Sequence, residues 1–222
     1  MNDLAIYGTG GVGRQAVQIA QDMNDVRHRW NILGYLDDSP TESQDSLNGL
    51  PVLGSGTWLQ DHPTVSVCLA IASPTARRRV AQRLRSLGHE RFASLVHPES
   101  CIGARSRIGT GAIIYPGVLI DTDVQVGEHV LINKACTLGH DAEISAFATF
   151  APGVNLGGTT QIGEGCEFGI GSATVQSISV GDWTIVGAGA VVLRNLPANV
   201  TAVGVPAKQI KHRQPGWHEE TA

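Results

Sequence analysis

The residues best suited to chemistry in this chain are His140 and Asp141, which close the run Asn133-Lys134-Ala135-Cys136-Thr137-Leu138-Gly139-His140-Asp141. A neutral imidazole takes a proton from an attacking amine or hydroxyl, and a carboxylate beside it orients the ring and stabilises the imidazolium that forms. Eighteen residues further on stand Gly157 and Gly158, a side-chain-free pair whose backbone N–H can meet a carbonyl oxygen as negative charge develops there. These are the parts of an acyl-transfer site with His140 as general base, provided the fold stacks position 158 on position 140. A second group is Gly8-Thr9-Gly10-Gly11-Val12-Gly13, which fits the Gly-x-Gly-x-x-Gly turn that holds phosphates at a helix start. Asp37 and Asp38 then stand where an acidic group meets a ribose.

The element that must position His140 is written in a six-residue beat. Every sixth residue from Ile102 to Val192 is aliphatic or Phe, with Thr174 the single polar break, and the position four further on is always small or aliphatic. Neither a helix nor an ordinary sheet has that period, whereas a parallel β-helix built from hexapeptide repeats does. Three hexads make one triangular coil, so residues eighteen apart stack. His140 falls two residues after an inward apolar position and therefore on an outer edge. His129, followed by no acid and with Phe147 eighteen residues on, reads as a surface residue. Cys136 and Cys166 fall on the small inward register, where a thiol acts as a small hydrophobe.

Ahead of the repeats, Asp3 to Tyr7 reads as a strand running into the glycine turn, and Val12, Ala16, Ile19, Ala20 and Met23 recur at helical spacing behind it. Ile32–Leu36 and Val65–Ile71 read as further strands. Ser73 as N-cap, Pro74 at the first helical position and Gly88 as the stop bracket a second helix. Alternating strands and helices imply a small parallel sheet. The segment supplies only one βαβαβ half, so a mononucleotide-sized ligand fits better than a dinucleotide, unless the glycines make no more than a tight turn. Arg77, Arg78, Arg79, Arg83 and Arg85 on the second helix read mostly as a solvated face. The whole divides into an α/β half-Rossmann-like domain (1–95), a left-handed parallel β-helix (96–200) and a C-terminal segment and polar tail (201–222).

Composition narrows the function classes. A net charge of −4 with no basic stripe argues against nucleic acid. No stretch approaches the roughly 20 apolar residues of a membrane span, and no basic-then-apolar leader opens the chain, so a soluble cytoplasmic protein is expected. The cysteines form no CxxC pair, and His97, His129 and His140 lack the spacing of a three-histidine metal site, so no metal is expected.

Taken together, the glycine-rich turn, Leu36-Asp37-Asp38, Leu95-Val96-His97-Pro98, Asn133 with His140-Asp141, Gly187-Ala188-Gly189-Ala190 and Gly204-Val205-Pro206-Ala207-Lys208 closely resemble the bacterial hexapeptide acyltransferases that O-acetylate sialic acids or N-acetylate amino-sugars. The resemblance implies a homotrimer with acetyl-CoA between adjacent β-helices and a nucleotide-linked sugar on the N-terminal domain. It implies that His140 is the base and Asp141 its companion, and that Asn133, Thr149, Gly158, Gly187 and Lys208 line the acetyl-CoA site. Gly8, Thr9, Gly10, Gly11, Asp37 and Asp38 would meet the sugar nucleotide. Val12 and Thr149 stand where some members carry histidine. Because no long loop interrupts the hexads, acceptor recognition falls to the N-terminal domain, which favours an acceptor with a nucleotide handle. The expected reaction is acetyl transfer from acetyl-CoA to the amine of a nucleotide-linked amino-sugar, a 4-amino-4,6-dideoxy sugar, by direct attack. O-acetylation of a sugar and a non-catalytic nucleotide-binding trimer are the alternatives.

Overall fold

The computed structural model describes residues 1–38 and 46–219, in two compact units, Met1–Pro98 and Glu99–Ala222. In the first unit, strand β1 (Asn2–Tyr7) runs into helix α1 (Gly11–Val26), followed by β2 (Trp30–Leu36), β3 (Ser46–Leu47), β4 (Leu50–Gly54), the single-turn α2 (Trp58–Asp61), β5 (Ser66–Leu69) and α3 (Pro74–Ser86). The sheet order is β3-β4-β2-β1-β5, parallel throughout except for the β3–β4 hairpin. The hairpin is an addition to the three strands that the sequence shows, and Leu47 and Leu50 pair across it.

Its core is the apolar run of the central strands, Leu4, Ala5 and Ile6 with Tyr35, Leu36, Val67 and Leu69, all buried. Two glycines let the first turn close. A Cβ on Gly13 would sit 1.9 Å from the Gly8 carbonyl oxygen, and Gly8 itself has φ +116°. Any side chain at position 13 would push the helix off the strand. The second helix starts as expected, with Pro74 in its first turn and the Ser73 hydroxyl accepting from Ala76 N at 3.4 Å; Gly88 (φ +83°) follows its end. One arginine of this helix stands apart from the solvated face. Arg77 is 1% exposed and donates from Nη1 to the carbonyls of Ile71 (2.5 Å) and Ala72 (3.0 Å). The guanidinium can be inside because these carbonyls of the β5–α3 turn give its charged N–H groups acceptors.

The second unit is the left-handed parallel β-helix. Two-residue strands stack with an eighteen-residue register on three faces, for example Leu119 on Thr137 on Asn155, Gln125 on Glu143 on Gln161, and Leu131 on Thr149 on Glu167. The every-sixth column fills the interior, with Phe150 and Phe168 stacked at 5.2 Å. Cys136 and Cys166 are buried in it, and burial pushes their thiols up to about 11 and about 12. Glycines after the inward residue serve close approach rather than turning. A Cβ on Gly139 would lie 2.5 Å from Gly158 N, while the left-handed conformation falls two residues later, at Asp141 (φ 58°) and Thr159 (φ 55°). Beyond residue 200, Val200–Val203 joins one face and Lys208–His212 pairs with it antiparallel, and a short 3₁₀ turn, Trp217–Glu219, places His218 flat on Trp183 at 3.8 Å.

Candidate active site

On the β-helix, the turn after strand Thr137–Leu138 carries His140 outward. Its backbone is fixed because Gly139 N donates to Leu156 O (2.9 Å) and Thr159 N donates to His140 O (2.8 Å). The imidazole Nδ1 lies 2.7 Å from Asp141 Oδ2. A carboxylate only accepts, so Nδ1 carries a proton, and in the neutral ring Nε2 then keeps its lone pair. Gly158 stands one coil on, and a Cβ there would be 2.7 Å from His140 Nε2. The imidazole edge that can accept a proton therefore lies against bare backbone. Among the described residues the Gly158 N–H donates no hydrogen bond, while its carbonyl accepts from Ser177 N and Thr159 Oγ1.

A ring beside a glycine on the adjacent coil is not unique to this edge. A Cβ on Gly111 would meet His129 Nδ1 at 2.3 Å, and one on Gly165 would meet the Trp183 ring at 2.2 Å. His129 is 1% exposed and stacks on Phe147 at 5.1 Å, so it is a core ring and not the surface residue that its sequence context implied. Phe147 and Trp183 on the same edge are buried with it. His140 and Asp141 differ in being open, with side chains 60% and 56% exposed. Next to them in the chain, Gly139 helps line a groove of about 450 Å³ with Cys101, Leu119, Asp121, Thr137, Leu138 and Leu156. Leu119, half exposed on that face, gives the groove an apolar wall.

The other residues expected to line the acetyl-CoA site lie elsewhere on the prism. Asn133 is half-buried at the end of strand Leu131–Ile132, its Oδ1 accepting from Lys134 N at 2.8 Å. Gly187, three coils on along the same edge, packs against Val203 (2.7 Å from a built Cβ), and Val203 pairs with Lys208, so the last two are brought together. Thr149 is buried on the face between Leu131 and Glu167. Within one chain, none of these four shares an edge with His140.

In the first unit, Thr9 and Asp37 are joined at the glycine turn, the Asp37 Oδ2 accepting from Thr9 N (3.1 Å) and Thr9 Oγ1 (2.6 Å). Gly10 is the N-cap of α1 without a side-chain cap, so the first N–H groups of the helix face outward beside Gly11, as an anion site requires. Asp38 is tied more widely within the unit. Its carboxylate takes hydrogen bonds from Tyr7 OH (2.5 Å), Gly56 N (3.2 Å) and the Arg83 guanidinium, which also donates to Tyr7. Burial alone would raise the Asp38 carboxyl, but the hydrogen bonds from Tyr7, Arg83 and Gly56 and the charge of Arg83 outweigh it and hold the group below its ordinary value. Tyr7 is pushed up, first by burial and then by Asp38. Asp38 is thus a strut that ties β1, β2 and α3 together under the turn. Sequence reading missed Tyr7 and Arg83. They are 76 residues apart, and nothing in their local patterns marks them as partners.

Residues 3–84 match the PglD N-terminal domain, and residues 159–194 match the hexapeptide repeat of succinyl-transferase. GDP-perosamine N-acetyltransferase of Escherichia coli O157:H7 is 31% identical over 219 residues, covering 95% of this chain and 97% of that one. Among solved structures, a mutant of perosamine N-acetyltransferase from Caulobacter crescentus in complex with CoA and GDP-perosamine superposes with a TM-score of 0.86 at 27% identity, over 95% of this chain and 98% of that chain. The acetyltransferase domain of PglB from Neisseria gonorrhoeae FA1090, in complex with acetyl coenzyme A, gives 0.83 at 28% identity, over 94% and 99%. The matches run the length of both units, so this chain belongs to the family of bacterial hexapeptide-repeat sugar N-acetyltransferases that includes GDP-perosamine N-acetyltransferase.

Proposed function

We propose that the protein transfers the acetyl group of acetyl-CoA to the amine of a nucleotide-linked 4-amino-4,6-dideoxy sugar. The observation that carries this reading is the pairing of an open His140, oriented by Asp141 through Nδ1, with the bare Gly158 rung at Nε2. The amine nitrogen attacks the thioester carbonyl carbon while His140 Nε2 takes its proton. The oxygen, now negative, is met by the Gly158 N–H. The C–S bond then breaks and the imidazolium returns the proton to the CoA sulfur, leaving an amide and a free thiol. The first unit holds the nucleotide handle of the acceptor, with the α1 N–H groups and Gly8, Thr9, Gly10 and Gly11 toward the phosphates and Asp37 toward the ribose or base. Asp38 acts there through Tyr7 and Arg83. That relatives spanning nearly the whole chain are named for GDP-perosamine makes GDP the first nucleotide to test.

The test is thiol release from acetyl-CoA on adding GDP-, UDP- or dTDP-linked 4-amino sugars in turn. Turnover with one of them and its loss in His140→Asn support the reading. No thiol with any of the three, or wild-type turnover in His140→Ala, would sink it.

We also propose that the working form is a homotrimer in the cytoplasm, where both substrates are at hand. Supporting the trimer, Asn133, Gly187 and Lys208 lie off the His140 edge, as residues that serve a site at a seam between copies would. Sedimentation equilibrium should return three times the 23.4 kDa chain mass. On location, no helix among the described residues is long and apolar enough to cross a membrane.

A further inference from the structure

The rung beside His140 is held differently from the rungs around it. In the regular coils the residue after the inward position donates its N–H to the backbone of the next coil, as Gly139 N does to Leu156 O (2.9 Å) and Val175 N to Val192 O (3.1 Å). At Gly157 that bond is missing. Gly157 N donates to the side-chain oxygen of Thr174 at 3.1 Å, and the strand pair there is reduced to Asn155 on Ala173. The Gly157 carbonyl in turn accepts from Thr160 Oγ1 at 2.6 Å, and Thr160 is wholly buried.

Four other polar side chains in the same inward column reach forward to the next coil, Ser106 to Asp121 O, Cys136 to Ala151 O, Cys166 to Gly181 O and Thr184 to Pro197 O, while the buried Ser172 hydroxyl makes no such bond. Thr160 turns back into its own corner. Its single proton is spent on the Gly157 carbonyl, so in the longer contact between Thr160 and Thr174 hydroxyls (3.5 Å) Thr174 is the donor. The result is a ring of hydrogen bonds that leaves Gly157 through its N–H and returns through its C=O.

That carbonyl belongs to the peptide group whose N–H is Gly158. A hydrogen bond to a peptide oxygen withdraws charge from the nitrogen and makes the N–H a better donor, since linked hydrogen bonds strengthen one another. It also fixes the peptide plane, which matters because oxyanion donors act by being aimed in advance. We propose that Thr160 and Thr174 are positioning residues for acetyl transfer, a buried hydroxyl bracket that aims and polarises the Gly157–Gly158 peptide toward the thioester carbonyl. The inference rests on the reading that Gly158 N–H meets that oxygen.

The experiment is steady-state kinetics on Thr160→Val and Thr160→Ser, with Thr174→Val as the second probe. Because loss of a whole oxyanion donor costs about 10²–10³ in kcat, weakening one is expected to cost about tenfold in Thr160→Val, with both KM values within about twofold and Thr160→Ser near wild type. Thr174→Val is expected to follow Thr160→Val in direction. Infrared spectra of bound acetyl-CoA labelled with ¹³C at the carbonyl give a readout that packing does not move. Binding should lower the carbonyl stretch in the wild type, and less so in Thr160→Val. Unchanged kcat and stretch in a folded Thr160→Val overturn the bracket. So does a loss that serine fails to rescue and that tracks a fall in melting temperature. Failure of the proposed acetyl transfer looks different, because the wild type itself would then release no thiol with any sugar nucleotide, and failure of the Gly158 contact would leave the carbonyl stretch of the wild type unlowered on binding.

Discussion

Two edges of the same β-helix carry a histidine against a glycine of the neighbouring coil, and they serve different ends. At Gly111 and His129 the ring is sealed, stacked on Phe147 in a column that continues through Gly165 and Trp183 to His218. At His140 and Gly158 the ring is open, an adjacent carboxylate fixes its tautomer, and hydroxyls hold the glycine rung. The comparison teaches that a glycine beside a ring is only a spacing device: a coil repeat brings the two together wherever they fall eighteen residues apart. Chemistry comes from what surrounds the pair, namely solvent access, an orienting acid and a backbone donor left unspent.

The comparison breaks most visibly at the base. His140→Ala should lower kcat by about 10²–10⁴ without lowering the melting temperature, measured by thiol release beside a thermal melt. Wild-type turnover would place the two edges on the same footing. Gly158→Ala should cost on the order of 10² in kcat, because its Cβ would sit 2.7 Å from Nε2 and must push the open ring aside. The sealed edge should answer in the opposite currency. His129→Ala removes a buried ring from a stack, so it should lose about 2–4 kcal/mol of stability in chemical denaturation while kcat per folded molecule stays within about twofold. A fall in kcat comparable to that of His140→Ala would erase the distinction.

The first unit sharpens the contrast with a site that no repeat supplies. Arg83→Gln, or Tyr7→Phe, should raise the KM for the sugar nucleotide by about tenfold, as loss of one charge-assisted hydrogen bond would, and leave the KM for acetyl-CoA unchanged. The smallest effect is in acid. Asp38 is held below its ordinary value when folded, so its contribution to stability is present above the unfolded carboxylate value of about 3.9 and is lost as the pH falls through the lower folded one. Asp38→Asn should therefore flatten the acid limb of the stability curve of the protein in that window. An unchanged limb would mean that the strut carries no charge-dependent load.

Thr174 shows where sequence reading stops. As the only polar member of the every-sixth column it stands out at once, but the pattern alone makes it a tolerated methyl-bearing break. The structure shows its hydroxyl replacing a strand hydrogen bond at the rung beside His140. Asp37 and Asp38 are equally legible as an acidic pair after a strand, yet one faces Thr9 and the other props Tyr7 and Arg83. Arg77 reads as part of a basic helix face and is instead inside the unit.

The sequence by itself determined the period, and with it the register, because a prism that closes every three hexads leaves no choice about which residue stacks on which. His140 under Gly158 followed from counting, as did the dry column of side chains inside and the N-cap of the second helix. Which rings are sealed, which way a hydroxyl turns and which arginine is inside emerge only once the chain is folded. Those outcomes depend on the space and the unpaired polar groups around each side chain in three dimensions, and a one-dimensional pattern does not record either.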